Sequence, residues 1–183
     1  MADDQTGTAL QLDGTGRMII PSSISTDFTI LLWLKTNQDG HDGTPFEADL
    51  AQWYWGLGIV DGDVGGLVDD FGMAILGGKL TFGVGARTEV TVFGAQRIDT
   101  GTWHHLAVSR SNHGEIHLYV DGQNDGTFDG PAGARGATKV LTLGAITTNP
   151  NRFMRGRMAD LRFYDRVLGS AEVKTVLHAV RGN

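Results

Sequence analysis

Thr102 to Gln123 (TWHHLAVSRSNHGEIHLYVDGQ) constrains the fold more than any other stretch of this chain. Trp103–Arg110 is rich in residues that favour extended backbone. Ser111-Asn112-His113-Gly114 supplies the Asn and Gly that a tight reversal needs. Glu115–Val120 then alternates, with Ile116, Leu118 and Val120 on one face and Glu115, His117 and Tyr119 on the other. Asp121-Gly122 is a second turn signal. A two-stranded hairpin is at best marginally stable alone in water, so this one must be the middle of a larger sheet.

The rest of the chain repeats the pattern. Strands are expected at 8–12 and 17–20, at Asp27–Thr36 and at Leu50–Val60. More follow at Phe71–Leu76, Lys79–Gly85 and Glu89–Phe93, near Thr127-Phe128, at Val140–Leu143 and at Phe153–Tyr164. Asp27–Thr36 is apolar on both faces: Phe28, Ile30, Leu32 and Leu34 on one, Leu31 and Trp33 on the other. That predicts a central strand covered on both sides, or one face lining a groove. In Leu50–Val60, period two places Trp53, Trp55, Leu57 and Ile59 on the core face, and Gln52 and Tyr54 opposite. Gly77-Gly78 suits a type I′ hairpin turn. The chain has 27 Gly and 4 Pro in 183 residues, and this Gly share, about twice the usual ~7%, fits many short strands joined by tight turns. Ala171–Val180 is the one good helix: Ser170 is expected as its N-cap, Glu172 sits in its first turn, and Val173, Val176, Leu177 and Val180 form its apolar stripe. The expected fold is all-β, a two-sheet antiparallel sandwich with one short C-terminal helix, as a single domain over 8–183 after a flexible tail over 1–7.

Four segments carry a resemblance. Trp103-His104-His105-x-Ala107-Val108-x-Arg110 with Leu118-Tyr119-Val120-Asp121-Gly122 resembles the laminin-G-like, concanavalin A-like jelly-roll family. Ala9–Gly14 resembles its opening strand, Phe28–Leu34 its strand with the pattern Phe-Thr-x-x-x-Trp, and Gly156–Leu168 its closing strand. In order they span residues 9 to 168. The resemblance implies a jelly roll and a recognition role. It does not name a ligand, since one fold hosts many functions.

Bulk properties narrow the function. A formal net charge of −6 argues against nonspecific nucleic-acid binding. No stretch approaches the roughly 18 apolar residues of a membrane span. The absence of cysteine removes disulfides, thiolate metal sites and a thiol nucleophile; it fits a bacterial or cytosolic chain without fixing the compartment. Met1–Gln5 shows no signal-peptide pattern, so the location stays open: extracellular or cell-surface if the chain is cut from a larger protein, otherwise cytoplasmic.

Asp61-x-Asp63-x-x-Gly66-x-x-Asp69 partly matches an EF-hand loop. Gly65 at position five, Gly72 in place of the bidentate Glu, and strand flanks reject that reading. Asp61, Asp63, Asp69 and Asp70 remain candidate Ca²⁺ ligands, against a solvated acidic turn. The resemblance adds Asp13 and Asp160, the segments where related jelly rolls hold a structural Ca²⁺; Ala159 replaces a first acid there, and an ion pair of Asp160 with Arg157 or Arg162 is the competing reading.

Sugar-binding surfaces set flat aromatic faces beside carboxylates and amides. Gln52 and Tyr54, next to Asp61 and Asp63, are the candidate carbohydrate-binding residues, with Trp53 and Trp55 assigned to the core. The rim loops 37–49, 61–70 and 145–152 would frame the ligand. His104 and His105 face opposite sides of a strand and read as structural, one packing beside Trp103. Glu47-Ala48-Asp49-Leu50-Ala51-Gln52 has two carboxylates of a glycosidase strand motif and Gln52 for the third, which argues against retaining hydrolysis. The expected function is a non-catalytic recognition domain; the resemblance suggests carbohydrate as its ligand, with Ca²⁺ as a bridging or structural ion. The alternative is a protein-binding or homo-oligomerisation module, with Leu31 and Trp33 forming its apolar patch. A glycoside hydrolase or lyase is the third class.

Overall fold

The computed structural model describes residues 8–24, 26–41, 51–66, 68–149 and 151–181. The expected tail over 1–7, and Glu47, Asp49 and Leu50 of the glycosidase-like segment, lie outside the described residues.

Among the described residues, twelve strands build two antiparallel sheets. The first is ordered β1 (Leu10–Asp13), β12 (Arg155–Tyr164), β3 (Phe28–Lys35), β8 (Trp103–Arg110), β9 (Glu115–Val120) and β10 (Gln123–Asp129). The second is ordered β2 (Met18–Pro21), β11 (Val140–Leu143), β4 (Leu57–Asp61), β5 (Phe71–Leu76), β6 (Lys79–Val84) and β7 (Val90–Arg97). The expected type I′ turn at Gly77 and Gly78 has positive φ at both residues, 63° and 76°, and so does the turn at Asp121 and Gly122, 51° and 75°.

The core lies between the sheets. Ile30, Leu32, Leu34, Leu106, Val108, Ile116, Leu118 and Val120 of the first meet Ile59, Phe71, Met73, Ile75, Leu80, Phe82 and Val84 of the second. Phe28 crosses the gap, its ring centroid 5.2 Å from that of Phe71. The alternation read in the central hairpin is therefore correct.

The outward side of the first sheet is covered too, the first of the two readings of the two-faced strand Asp27–Thr36. Leu31, Trp33 and Tyr119 point away from the core yet are buried. The helix α1 (Ser170–Arg181) lies over them: Val173 and Leu168 pack on Leu31, Ala107 and Tyr119, and Leu177 on Trp33 and Ala159. The apolar patch expected at Leu31 and Trp33 is thus not a surface. The N-cap of α1 is Gly169 rather than Ser170. The Gly169 carbonyl accepts from Val173 N–H (3.0 Å), and the Glu172 carboxylate accepts from Gly169 N–H (3.1 Å), so Glu172 makes its half of a capping box.

The expected strand Leu50–Val60 is also corrected. Trp53–Trp55 forms a single 3-10 turn and β4 begins only at Leu57. The cause is distant in sequence. Trp53 lies against the outward face of β5 and β6 at Gly72 and Gly83, where a Cβ would come within 1.8 and 1.6 Å of its ring atoms. With the strand broken, period two no longer assigns faces: Trp53 is buried, and Trp55 is 47% exposed rather than in the core.

The 130–137 loop is held by two buried arginines. Arg110 donates to the carbonyls of Pro131 (2.6 Å) and Gly133 (2.9 Å), and Arg135 to those of Pro131 (2.7 Å), Ala132 (3.1 Å) and Ala134 (2.8 Å). Burial pushes the Arg110 guanidinium down to about 10, with the Arg135 charge adding to it.

Candidate functional site on the second sheet

Among the described residues, no α-helix lies on the outward face of the second sheet. On β5 and β6 the outward positions are Gly72, Ala74, Thr81 and Gly83, out of step with the core residues between them. These small side chains make a floor on which the 53–55 turn rests. Trp53 packs there with Ala74 and Ile146, and Tyr54 packs against it. Trp53 N–H donates to Thr91 Oγ1 (3.1 Å), and that hydroxyl donates to Gln52 Oε1 (3.2 Å). Gln52, expected to face a ligand, therefore anchors the turn to β7 through its carbonyl.

Three aromatic rings follow one another at steep angles. Tyr54 stands edge-on to Trp53 (81°) and to Trp55 (89°). Burial pushes the Tyr54 hydroxyl up to about 12, and the negative charge of Glu89 adds to the shift. Arg152 braces the turn from outside, donating to the carbonyls of Trp55 and Gly56 (3.2 Å) and of Gly40 (2.7 Å).

Beside the aromatics, the acidic loop divides. Asp61 ends β4 opposite Thr142 and is fully buried. Its Oδ2 accepts from Thr147 N–H (2.7 Å), while Oδ1 is buried without a hydrogen bond. Burial pushes its carboxyl up to about 7 against the pull of the Thr147 hydrogen bonds, and Asp63 adds repulsion. Asp63 accepts from the Thr148 hydroxyl. Asp70 accepts from Val64 N–H (3.0 Å) and is pushed up to about 6, chiefly by burial and further by Asp63 and Glu89. Asp69 leaves the group: it is paired with the buried Arg135 at 3.0 Å.

Asp13 and Asp160 are not brought together. The β1–β12 register sets Asp13 against Arg155, five residues short of Asp160, which is about 16 Å of strand. Asp13 caps its own turn, accepting from Thr15 N–H (2.9 Å) and Oγ1 (2.6 Å), and these bonds hold its carboxyl below the ordinary value. Asp160 sits at a bulge with φ 50° and binds Arg162 Nε at 2.8 Å, the competing ion-pair reading. Among the described residues no three acids or histidines cluster at metal-binding spacing. Of the six expected metal ligands, Asp63 interacts with Asp61 and, separately, with Asp70.

The two histidines face opposite sides of β8. His105 is buried with its ring centroid 5.3 Å from that of Trp33, and His104 bridges Asp121 (2.9 Å) and Thr100 (2.7 Å). Sequence reasoning missed Glu89 and Thr91, and expected the 145–152 loop at the site without singling out Thr147 and Thr148. Nothing local marks Glu89 and Thr91; the sheet order places β7 at the far edge of the second sheet, three strands from β4.

Residues 6–174 match the family model described as the concanavalin A-like lectin/glucanases superfamily. The chain belongs to that superfamily. Solved structures of this superfamily fold cover nearly all of it. The native heptameric SAP-like pentraxin of Limulus polyphemus is 18% identical, with a TM-score of 0.70 over 96% of this chain and 84% of the pentraxin. Domain 4 of AbnA, a GH43 extracellular arabinanase from Geobacillus stearothermophilus solved with arabinotriose, is 21% identical, with a TM-score of 0.69 over 96% and 79%. Botulinum neurotoxin type C, whose cell entry depends upon interaction with two ganglioside molecules, is 11% identical, with a TM-score of 0.64 over 96% of this chain and 45% of the toxin chain. The superfamily member described here thus spans less than half of that toxin structure. No curated protein matches the chain. No helix among its described residues is long and apolar enough to cross a membrane.

Proposed function

We propose that this domain is a non-catalytic carbohydrate-recognition module whose binding surface is the outward face of the second sheet, between the 53–55 turn and the 61–70 and 145–149 loops. The observation that carries the reading is the half-buried Tyr54, with the exposed Trp55 edge-on to it, within electrostatic reach of Glu89 and Asp63. A sugar ring offers an apolar face to the first pair and hydroxyls to the second group. The arabinotriose and ganglioside ligands of two structural neighbours support a saccharide. Mostly binding-domain neighbours support recognition rather than turnover.

Calcium belongs to this proposal only at Asp61 and Asp63. The buried Asp61 Oδ1 has no hydrogen bond, which suits a cation. Two carboxylates supply few of the 6–8 oxygens that Ca²⁺ takes, so carbonyl, water and sugar oxygens would complete the set.

A glycan array followed by calorimetry, with arabinotriose among the ligands, tests the reading. Saccharide binding that is lost in Trp55→Ala, while the variant keeps its unfolding temperature, is the expected result. Silence across neutral and acidic glycans, with a stable self-associated species in solution, would transfer the assignment to a protein-contact module.

A further inference from the structure

A polar pocket opens where the 37–41 loop meets the start of β12. Its volume is about 640 Å³, and Asn37, Gln38, Asp39, Asn151, Phe153 and Arg155 are among the residues that line it. It lies at the far end of β4 from the acidic loop: Leu57, the first residue of that strand, lines the pocket, and Asp61 is the last. The volume falls inside the range of roughly 300–1,000 Å³ usual for ligand pockets.

The loop is fastened on both sides. On one, Gly78 N–H donates to the Asp39 carbonyl (2.7 Å) and Gly101 N–H to the Thr36 carbonyl (2.8 Å). On the other, the Thr36 hydroxyl donates to the Arg155 carbonyl (2.7 Å), and Arg152, itself in the wall, donates to the Gly40 carbonyl (2.7 Å). Gly40 has φ 77°, and a Cβ there would fall 1.9 Å from the Ile75 carbonyl oxygen, so glycine is what lets the loop sit this close to β5. These ties hold the walls in place without a ligand.

The polar groups are of both kinds. Gln38 accepts from Arg155 N–H through its side-chain carbonyl, which orients its NH₂ as a donor. Asp39 accepts from His41 N–H through Oδ1 (2.9 Å) and has Oδ2 as a further acceptor. Asn37 and Asn151 are exposed amides, each able to donate and accept, and the half-buried Phe153 adds an aromatic surface. Arg152 and Arg155 are balanced by Asp39 and Asp99; Asp99 is bound by Arg97 Nε (3.0 Å), and Arg155 has Asp13 within electrostatic reach. A bare anion or cation therefore gains little here. A sugar ring fits better, since each hydroxyl both donates and accepts and the ring carries an apolar face. We infer that this pocket is a binding site for one neutral sugar residue, separate from the Tyr54–Trp55 surface and not dependent on that surface being a sugar site.

The test is an amide NMR titration of the whole chain with the methyl glycosides of glucose, galactose, mannose, N-acetylglucosamine and arabinose, and with glycerol as the control polyol. At least one glycoside should give saturable shifts at Asn37, Gly40 and Phe153 that glycerol does not give. Asp39→Asn keeps an acceptor for His41 N–H and removes a charged one, so it should weaken binding about tenfold. Asn37→Ala, which should also weaken it, is the second variant should Asp39→Asn lose its dispersed spectrum. Trp55→Ala should leave this binding unchanged, whatever it does to binding at the sheet-two face. No glycoside exceeding glycerol, shifts confined to residues 52–55, loss of binding in Trp55→Ala, or unchanged affinity in the folded pocket variants would each overturn the assignment.

Discussion

Trp53 occupies the space that a side chain at Gly83 would fill: a Cβ built there falls 1.6 Å from the indole Cδ1. The turn bearing Tyr54 and Trp55 is therefore positioned by an absence on β6. Gly83→Ala should displace the indole and cost about 1–3 kcal/mol as an overpacked contact. At this size that is several degrees of unfolding temperature. Calorimetry and a red shift of tryptophan fluorescence check it together; an unmoved emission maximum would show that the turn does not depend on this seat.

Asp61 makes stability depend on pH. Its carboxyl is pushed from 3.8 in the unfolded chain to about 7 in the fold. Between those values the native state keeps a proton that the unfolded state has released. The stability this group contributes is complete below pH 3.8 and is lost as pH rises through about 7. Asp70, at about 6, acts in the same direction. The slope approaches about 1.4 kcal/mol per pH unit for each group. Urea denaturation in EDTA should give a more stable protein at pH 5.5 than at pH 7.5, and Asp61→Asn should flatten the difference. A profile unaffected by that substitution would assign the dependence to other groups.

The two buried arginines organise a loop that has no regular structure of its own. Arg110→Met removes the partner of the Gly133 carbonyl and one of two donors to Pro131. A buried carbonyl left without a donor costs about 1–3 kcal/mol. The expected signature is a lower unfolding temperature with faster amide exchange confined to the 130–137 loop and its neighbours. Exchange that rises evenly throughout the domain would contradict a local role.

Leu177 joins α1 to the first sheet by packing on Trp33 and Ala159. Leu177→Ala should destabilise the protein by about 2–5 kcal/mol, the usual range for such a truncation. If α1 instead unfolds separately, the loss will appear as earlier helix melting by far-UV circular dichroism while the sandwich transition stays in place.

The sandwich was legible because its strands are two-faced in the simplest way. Ile116, Leu118 and Val120 declare a buried side, and the turns between strands carry their own residues. Leu31 and Trp33 declared a second buried side, but not what covers it; the answer lies in α1, nearly 140 residues later. The candidate site was half legible. Asp61, Asp63, Asp69 and Asp70 look alike in a list of carboxylates, and only the path of the chain separates Asp61, beneath the Thr147 amide, from Asp69, out against Arg135. Tyr54 was singled out by a strand alternation that the structure does not have. It lies beside the cluster because two glycines on other strands give its neighbour Trp53 a seat.

The placement of α1 also limits how the molecule can assemble. An exposed sheet bearing Leu31, Trp33 and Tyr119 would invite another copy to stack on it, face against face. With Val173 and Leu177 already seated there, a stacking copy must first lift the helix and expose their apolar surface, at about 1.5–3 kcal/mol for each fully buried side chain. The helix thus works as a built-in competitor against growth in that direction.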